Sequence, residues 1–303
     1  MPATAVTHAD WLELWALLSK DRTASAADLA RALQREAPEG ADKERADRAA
    51  AEAITEIGAR TVAAGAAYPF VVAGNLVTCV DNPYGRAYLP YSFMLSLSFF
   101  GWDPPAGTVA FPRRWFEELS AAGSKAFLAG ESVIMSPPRT NLRAPFWHAI
   151  DDLCLLMGEG GGWREQPVGW NRPNAGLHPQ DDAVDVVAWR YFADRQSGKL
   201  ILFGQCATGD NWEDKLTELQ PPAFCGDWMR EAPPTAIIRA FFIPHRVTRE
   251  RWDYSVRRCG LLFDRCRLAA TLATVAERLP KEAEIRAWTK DQIAQRARKP
   301  AAA

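Results

Sequence analysis

Apolar residues recur at helical spacing through the first 64 residues of the chain. The pattern predicts three helices, which cover residues 11–19, 24–36 and 43–64. The Pro- and Gly-containing stretch Ala37–Gly40 separates the second helix from the third. From Tyr68 the period shortens to that of strands, and two apolar runs flank Ala73 and Gly74, which predicts a short hairpin.

Helices followed by a small hairpin are the ingredients of a winged-helix DNA-binding module. We therefore predict a helical, winged-helix-like N-terminal module over residues 1–105 and a second domain over residues 106–303. The apolar run Leu89–Phe100 fits either a buried strand or a core helix, and its composition leaves that choice open.

The second domain alternates between helical and strand-like patterns. Helical spacing covers residues 116–128, 144–157 and 259–278, and strand-like runs cover 184–189, 200–203 and 235–244. This mixture predicts an α/β (α+β) fold in which helices flank a mixed sheet. The polar segment Asp194–Lys199 reverses the chain between the first two runs, so these runs predict a hairpin.

Two polar side chains stand at the end of this hairpin that is remote from its turn. Asp185 opens the first strand and Gln205 ends the second. If the strands pair about the turn, these side chains can hold one divalent cation, Mg²⁺ or Mn²⁺, between two oxygen ligands. Asp182 is a second candidate, although three residues of extended chain would point it away from Asp185.

This arrangement resembles the PD-(D/E)xK superfamily of restriction-endonuclease-like nucleases, in the branch that has Gln as the second metal ligand. The resemblance covers roughly residues 145–250. It implies that Asp185 and Gln205 bind magnesium, and that a lysine two residues beyond Gln205 orients the attacking water. Ala207 stands at that position. Lys215, in a helix predicted to follow the second strand, is the nearest replacement.

The resemblance implies a Mg²⁺-dependent endonuclease that hydrolyses DNA, of a kind found in bacterial antiviral defence. Partner proteins of a defence system and a second copy of the chain, in a homo-oligomer, are the candidate protein partners. Ala207 supports an alternative, a degenerate nuclease fold that binds nucleic acid or acts as a scaffold. An RNA-directed nuclease is a further alternative. Related nucleases sometimes add a helical acid to the metal site, for which Asp151, Asp152 and the more distant Glu117 are the candidates here.

Charge is distributed unevenly along the chain. Residues 227–303 contain 16 Lys and Arg against 9 Asp and Glu, although the whole chain has a net charge of −1. We expect nucleic-acid contacts from four arginines and one aromatic ring in the second domain, namely Arg246, Arg249, Arg257, Arg258 and Trp212. The competing interpretation is that these arginines cover the solvent face of a helix.

Composition excludes several other classes. The apolar runs are too short to span a bilayer and the N-terminus has no signal-peptide pattern, so we expect a cytoplasmic protein without membrane contact. Six dispersed cysteines and four scattered histidines indicate neither a disulfide framework nor a zinc cage.

Overall fold

A computed structural model describes residues 4–36, 43–101, 112–163 and 182–298. The predicted mixed α/β class is confirmed. The helices are α1 (Ala5–Leu18), α2 (Ala26–Glu36), α3 (Lys43–Ala64), α4 (Leu89–Phe100), α5 (Pro112–Leu128), α6 (Phe146–Met157), α7 (Pro221–Trp228), α8 (Arg249–Cys259), α9 (Arg265–Ala273) and α10 (Glu282–Arg298). The strands are β1 (Thr23–Ser25), β2 (Phe70–Ala73), β3 (Leu76–Cys79), β4 (Glu131–Ile134), β5 (Val186–Arg190), β6 (Leu200–Cys206), β7 (Ile238–Phe242) and β8 (Leu261–Phe263).

The chain forms two compact units. Unit 1 consists of Met1–Trp115, Pro244–Arg249 and Asp264–Ala303, and unit 2 consists of Phe116–Ile243 and Glu250–Phe263. The division predicted at residue 105 groups residues 264–303 with the second half of the chain, whereas the contacts of the structure group them with the N-terminal region.

Unit 1 begins with the order helix, strand, helix, helix, strand, strand. In its antiparallel sheet β3 lies between β1 and β2. The side chain of Thr4 accepts a hydrogen bond from the Thr7 backbone N–H, and the Thr7 hydroxyl pairs with the Thr4 backbone, so α1 begins well before the predicted residue 11. Gly74 takes a left-handed φ of 58° in the turn between β2 and β3, as the predicted hairpin requires. The Leu89–Phe100 run is a helix.

Charged side chains lie inside unit 1, which the sequence did not indicate. Arg60 and Arg265 are fully buried, and each places a nitrogen 2.6 Å from a carboxylate oxygen of Asp10. Burial alone would raise the pKa of Asp10, but the charges of Arg265 and Arg60 lower it to about 2. Glu13 accepts hydrogen bonds from Tyr68 at 2.6 Å and Tyr91 at 2.9 Å. Burial, followed by the charge of Glu13, raises the pKa of both phenols well above their usual value.

Unit 2 is built on a mixed sheet with strand order β4-β5-β6-β7-β8. β5 runs antiparallel to both of its neighbours, whereas β6, β7 and β8 are parallel to one another. The carboxyl ends of β4, β6, β7 and β8 therefore lie at the same edge as the amino end of β5. One face of this sheet packs on α6 and α7 through a core that includes Phe203, Leu153 and Phe224.

Two predicted helices of the second domain are wrong. Residues 259–278 do not form one helix, because Gly260 takes a left-handed φ of 79° after α8 and the chain then forms β8 and α9. Lys215 lies not in a regular helix but at the end of the single 3₁₀ turn Trp212–Lys215. In the described part of the chain, no helix is both long and apolar enough to cross a membrane.

The close packing of β6 on β7 gives a stability prediction. A Cβ at Gly204 would lie 2.6 Å from the Phe242 ring, which is fully buried and stacked on Phe263 at 4.8 Å. We expect Gly204→Ala to reduce the free energy of unfolding by about 1–3 kcal/mol, measured by urea denaturation. The control is Gly226→Ala in α7, where the added Cβ meets no atom within 4 Å, and which should leave stability unchanged or raise it by up to about 1 kcal/mol. Equal effects of the two substitutions would contradict the packing argument.

Candidate functional site

Asp185 is fixed at the sheet edge by hydrogen bonds to both neighbouring strands. Its backbone N–H donates to Gly204 on β6 at 2.9 Å, and its carbonyl accepts from Met135, which follows β4, at 2.8 Å. Its carboxylate oxygen Oδ2 accepts from the Cys206 backbone N–H at 2.7 Å. Asp185 lies just before the first residue of β5, and its carboxylate accepts the Cys206 N–H in place of a backbone carbonyl. This is a structural role in addition to any chemical one.

Gln205 lies beside Asp185 on the adjacent strand. Val186 pairs with Gly204, and Val187 pairs with Phe203 in the core, so the alternation of a strand places Asp185 and Gln205 on the same face as that core. The structure thus brings together the two residues that the sequence singled out. Both are buried, with 5% and 4% of their surface exposed.

The orientation of the Gln205 amide is set by an acid that the sequence analysis missed. Its nitrogen Nε2 donates to the carboxylate oxygen Oε2 of Glu218 at 2.6 Å. An ionised carboxylate has acceptors only, so the amide nitrogen must face it and the carbonyl must face away. That carbonyl oxygen, Oε1 of Gln205, is buried without a hydrogen-bond partner. A buried oxygen of this kind calls for a bound donor, water or cation.

The loop that carries Glu218 is held by backbone contacts. The Glu218 N–H donates to the Lys215 carbonyl at 3.1 Å, and Arg239 on β7 donates to the Leu219 carbonyl at 3.2 Å. Lys215 is half-buried on this loop. No hydrogen bond or ion pair among the described residues joins its ammonium to Asp185 or Gln205.

Ala207 occupies the position where the resemblance calls for lysine. It is buried, and its N–H donates to the Phe242 carbonyl at 2.9 Å in the ladder with β7. A positively charged side chain for the site must therefore come from another residue.

Asp182 has a structural partner. The chain turns at Asp182 and Ala183, which take φ values of 48° and 65°, so the extended geometry assumed from the sequence does not apply. The Asp182 carboxylate accepts from the indole N–H of buried Trp228 at 2.6 Å. This bond engages one of its two oxygens with the core instead of the sheet edge.

Among the helical acids, Glu117 is the one connected to the site. It is buried on α5 and accepts from the Ser136 hydroxyl at 2.6 Å, and Ser136 follows Met135, the residue bonded to Asp185. Asp151 instead accepts from the Trp163 backbone N–H at 2.7 Å. Asp152 is paired with Arg143 at 2.8 Å.

The proposed nucleic-acid contacts fall into two groups. Arg246 is an internal residue of unit 1 that pairs with Glu56 at 3.1 Å and with Asp264, so it is not available to a phosphate. Arg249, Arg257 and Arg258 are exposed on α8. Arg258 lies over the Tyr254 ring at 3.6 Å.

Trp212 differs from the expectation. The residue is only 6% exposed, so its ring offers no face on which a base could stack. The neighbouring Glu213 forms an ion pair with Arg251 of α8. This pair ties the exposed arginine helix to the turn that carries Lys215.

Thiolate chemistry is disfavoured at three of the buried cysteines. All six cysteines are buried and unpaired with one another. Burial raises the pKa of the Cys79 and Cys225 thiols to about 12 and that of Cys259 to about 11, so these thiols are not thiolates near neutral pH.

The donor set at the sheet edge fits a hard divalent cation. Mg²⁺ is held by one or two carboxylates and keeps several waters, and the edge offers the Asp185 carboxylate and the unpartnered Oε1 of Gln205. Within the described ranges no group of three or more His, Cys, Asp or Glu could hold a metal ion, so a closed protein cage is not indicated there.

Comparison of the chain with protein-family models, with curated proteins and with solved structures finds no match.

Proposed function

We propose that this protein is a metal-dependent nuclease that hydrolyses phosphodiester bonds of DNA at the edge formed by Asp185 and Gln205. The observation that carries the proposal is the buried Gln205 carbonyl without a partner, next to Asp185, whose backbone bonds to Gly204 and Met135 and whose carboxylate accepts from the Cys206 N–H. The order α6, β5, β6, α7, β7, α8 supports it, because the nuclease resemblance implies helix, strand, strand, helix, strand, helix.

The roles of the residues follow from their positions. A bound Mg²⁺ or Mn²⁺ would neutralise phosphate charge and make a water ligand nucleophilic near neutral pH. Asp185 and Gln205 would hold that ion, and the backbone bonds of Asp185 keep its carboxylate in place before substrate binds. Lys215 would supply positive charge to the reacting phosphate from the neighbouring turn.

The exposed arginines of α8 support a nucleic-acid substrate. Arg257 and Arg258 are exposed, and the ion pair between Arg251 and Glu213 places α8 next to the Lys215 turn. Arginines in such a position would contact phosphates without reading sequence. Phosphate contacts of this kind fit DNA and RNA equally well, so cleavage assays on both nucleic acids decide between them.

The N-terminal region carries a weaker proposal. Its order helix, strand, helix, helix, strand, strand, with β3 in the middle of the sheet, supports a winged-helix-like module. However, α3 begins with both basic and acidic exposed residues, Lys43, Glu44, Arg45, Asp47 and Arg48. Since a basic face is the footprint of DNA binding, DNA contact by this module stays a prediction.

The second candidate function is a degenerate nuclease fold that binds nucleic acid or serves as the scaffold of a defence complex. Buried Ala207 favours it, together with the absence, among the described residues, of a hydrogen bond or ion pair from Lys215 to Asp185 or Gln205.

Cleavage assays separate these functions. We expect the full chain to cut plasmid DNA or single-stranded DNA with Mg²⁺ or Mn²⁺ and not with EDTA, and Lys215→Ala to slow cutting by about 100-fold, as removal of one transition-state charge does. The matched control is Lys281→Ala, because Lys281 is an exposed lysine of unit 1 that pairs with Glu284.

Three results would change the assignment. Cutting of RNA alone would make the protein an RNA-directed nuclease. Metal-dependent cutting that survives Lys215→Ala would show that another residue supplies the charge. No cutting of any substrate, combined with nucleic-acid binding in a filter assay, would favour the degenerate fold.

A further inference from the structure

Glu218 was not predicted from the sequence, yet it makes the one hydrogen bond that the structure gives to the Gln205 side chain among the described residues. The bond joins Gln205 Nε2 to Glu218 Oε2 at 2.6 Å. Gln205 is 4% exposed, whereas Glu218 lies on the exposed side of the loop. The buried partner is therefore oriented by one that solvent can reach.

A glutamine amide has two faces with opposite chemistry. Its carbonyl oxygen can bind a cation, and its NH₂ group cannot. The two orientations have the same shape, so packing alone does not choose between them. In this protein the choice is made by charge, since turning the amide would put its carbonyl oxygen against the Glu218 carboxylate.

The loop that carries Glu218 is itself held on the sheet. Arg239 of β7 donates to the Leu219 carbonyl, and Leu219 is part of the core that packs against β5 and β6. The Glu218 backbone N–H bonds to Lys215. Glu218 is thus placed by a fixed piece of backbone, not by a long mobile side chain alone.

We infer that Glu218 is a positioning residue that holds the Gln205 amide with its carbonyl oxygen toward the cation. This inference rests on the proposed function, because it assigns that oxygen to a divalent metal. It explains why a buried oxygen is left without a partner at 4% exposure. It also predicts that the side chains of residues 205 and 218 can exchange the roles of donor and acceptor without loss of metal binding.

Exchanging the two side chains tests this directly. Glu218→Gln removes the charge that selects the orientation, and Gln205→Glu places two carboxylates where one hydrogen bond stood. The double variant Gln205→Glu with Glu218→Gln restores a donor facing an acceptor and leaves an oxygen of residue 205 for the metal. The exchange keeps the net charge and the size of both side chains.

The measurement is Mn²⁺ binding by isothermal titration calorimetry on the full chain, with circular dichroism melting as a check of folding. We expect Glu218→Gln to weaken Mn²⁺ binding about 10- to 100-fold, as loss of a ligand-orienting partner does. The double variant should bind within about threefold of wild type, because the two changes are coupled. The control is Gln220→Glu, an exposed glutamine on the same loop that bonds to the Thr217 carbonyl, which should bind Mn²⁺ like wild type.

The failures are distinguishable. If wild type binds Mn²⁺ and Glu218→Gln binds it equally tightly, the positioning role is overturned and the metal site stands. If Glu218→Gln binds weakly and the folded double variant does not recover, restoring a donor opposite an acceptor does not restore the site, and the inference is overturned as well. If wild type binds no Mn²⁺ at millimolar concentration, both this inference and the metal-dependent function are overturned.

Discussion

Asp185→Asn is expected to lower metal-dependent cleavage at least about 100-fold while leaving the fold intact, because a ligand charge is lost from a site that contributes several kcal/mol. Asp185 has two functions that this substitution separates. Its carboxylate accepts from the Cys206 N–H at 2.7 Å, and an asparagine carbonyl can accept the same bond. The substitution removes the negative charge and replaces the other carboxylate oxygen by an NH₂ group, which cannot bind a cation.

Asp185→Ala serves as the structural comparison. It removes the acceptor as well, so the hydrogen bond from the buried Cys206 N–H is lost and the protein should lose about 1–3 kcal/mol of stability. If Asp185 were only a strand cap, the asparagine variant would cut like wild type and the alanine variant would be impaired by unfolding. The proposed function instead requires both variants to be inactive and only the alanine variant to be destabilised.

The matched control is Asp194→Asn in the turn of the same hairpin. Its carboxylate accepts from the Gln196 backbone N–H at 3.0 Å, and the residue is exposed. The substitution therefore makes the same chemical change, in the same hairpin, at the end remote from the site. Equal rates for Asp185→Asn and Asp194→Asn, with substrate in excess and at saturating Mg²⁺, would exclude Asp185 from the chemistry.

The helix with the longest periodic pattern could be predicted from the sequence, and the three-residue strands β1 and β8 could not. The helix over residues 43–64 was predicted with the bounds of α3, because 22 residues give a clear period. The strand β8 has three residues, Leu261–Phe263, and its apolar run merges with the helical spacing on either side of it. Only Gly260, with φ of 79°, marks the break, and a single glycine is a weak signal.

The pairing of Asp185 with Gln205 could be predicted because a hairpin fixes register locally. The partner of Gln205 could not, because Glu218 reaches it from a loop 13 residues away in sequence. The burial of Trp212 and the internal ion pairs of Arg246 could not be predicted either. A run of arginines looks the same in a sequence whether its members face solvent or carboxylates from another helix, and Asp10 meets Arg265 across 255 residues.

Arg60→Met is expected to destabilise unit 1 by about 3–5 kcal/mol, because it leaves buried carboxylates without their central cation. Arg60 is fully buried and lies 2.6 Å from Asp10, 3.0 Å from Glu13 and 2.9 Å from Glu56. Methionine keeps the length of the apolar stem and removes the charge. Urea denaturation, followed by tryptophan fluorescence and circular dichroism, should show the transition of this unit at lower denaturant.

The size of the effect depends on burial, and the same unit offers the control. Arg31 on α2 pairs with Asp28, but its side chain is 65% exposed, and exposed pairs contribute at most about 1 kcal/mol. Arg31→Met should therefore change stability by less than that. Similar losses for the two variants would mean that Arg265 and Arg246 compensate the acids around Arg60. A large loss for Arg60→Met alone would show that the carboxylates of Asp10 and Glu13 depend on Arg60 for their burial.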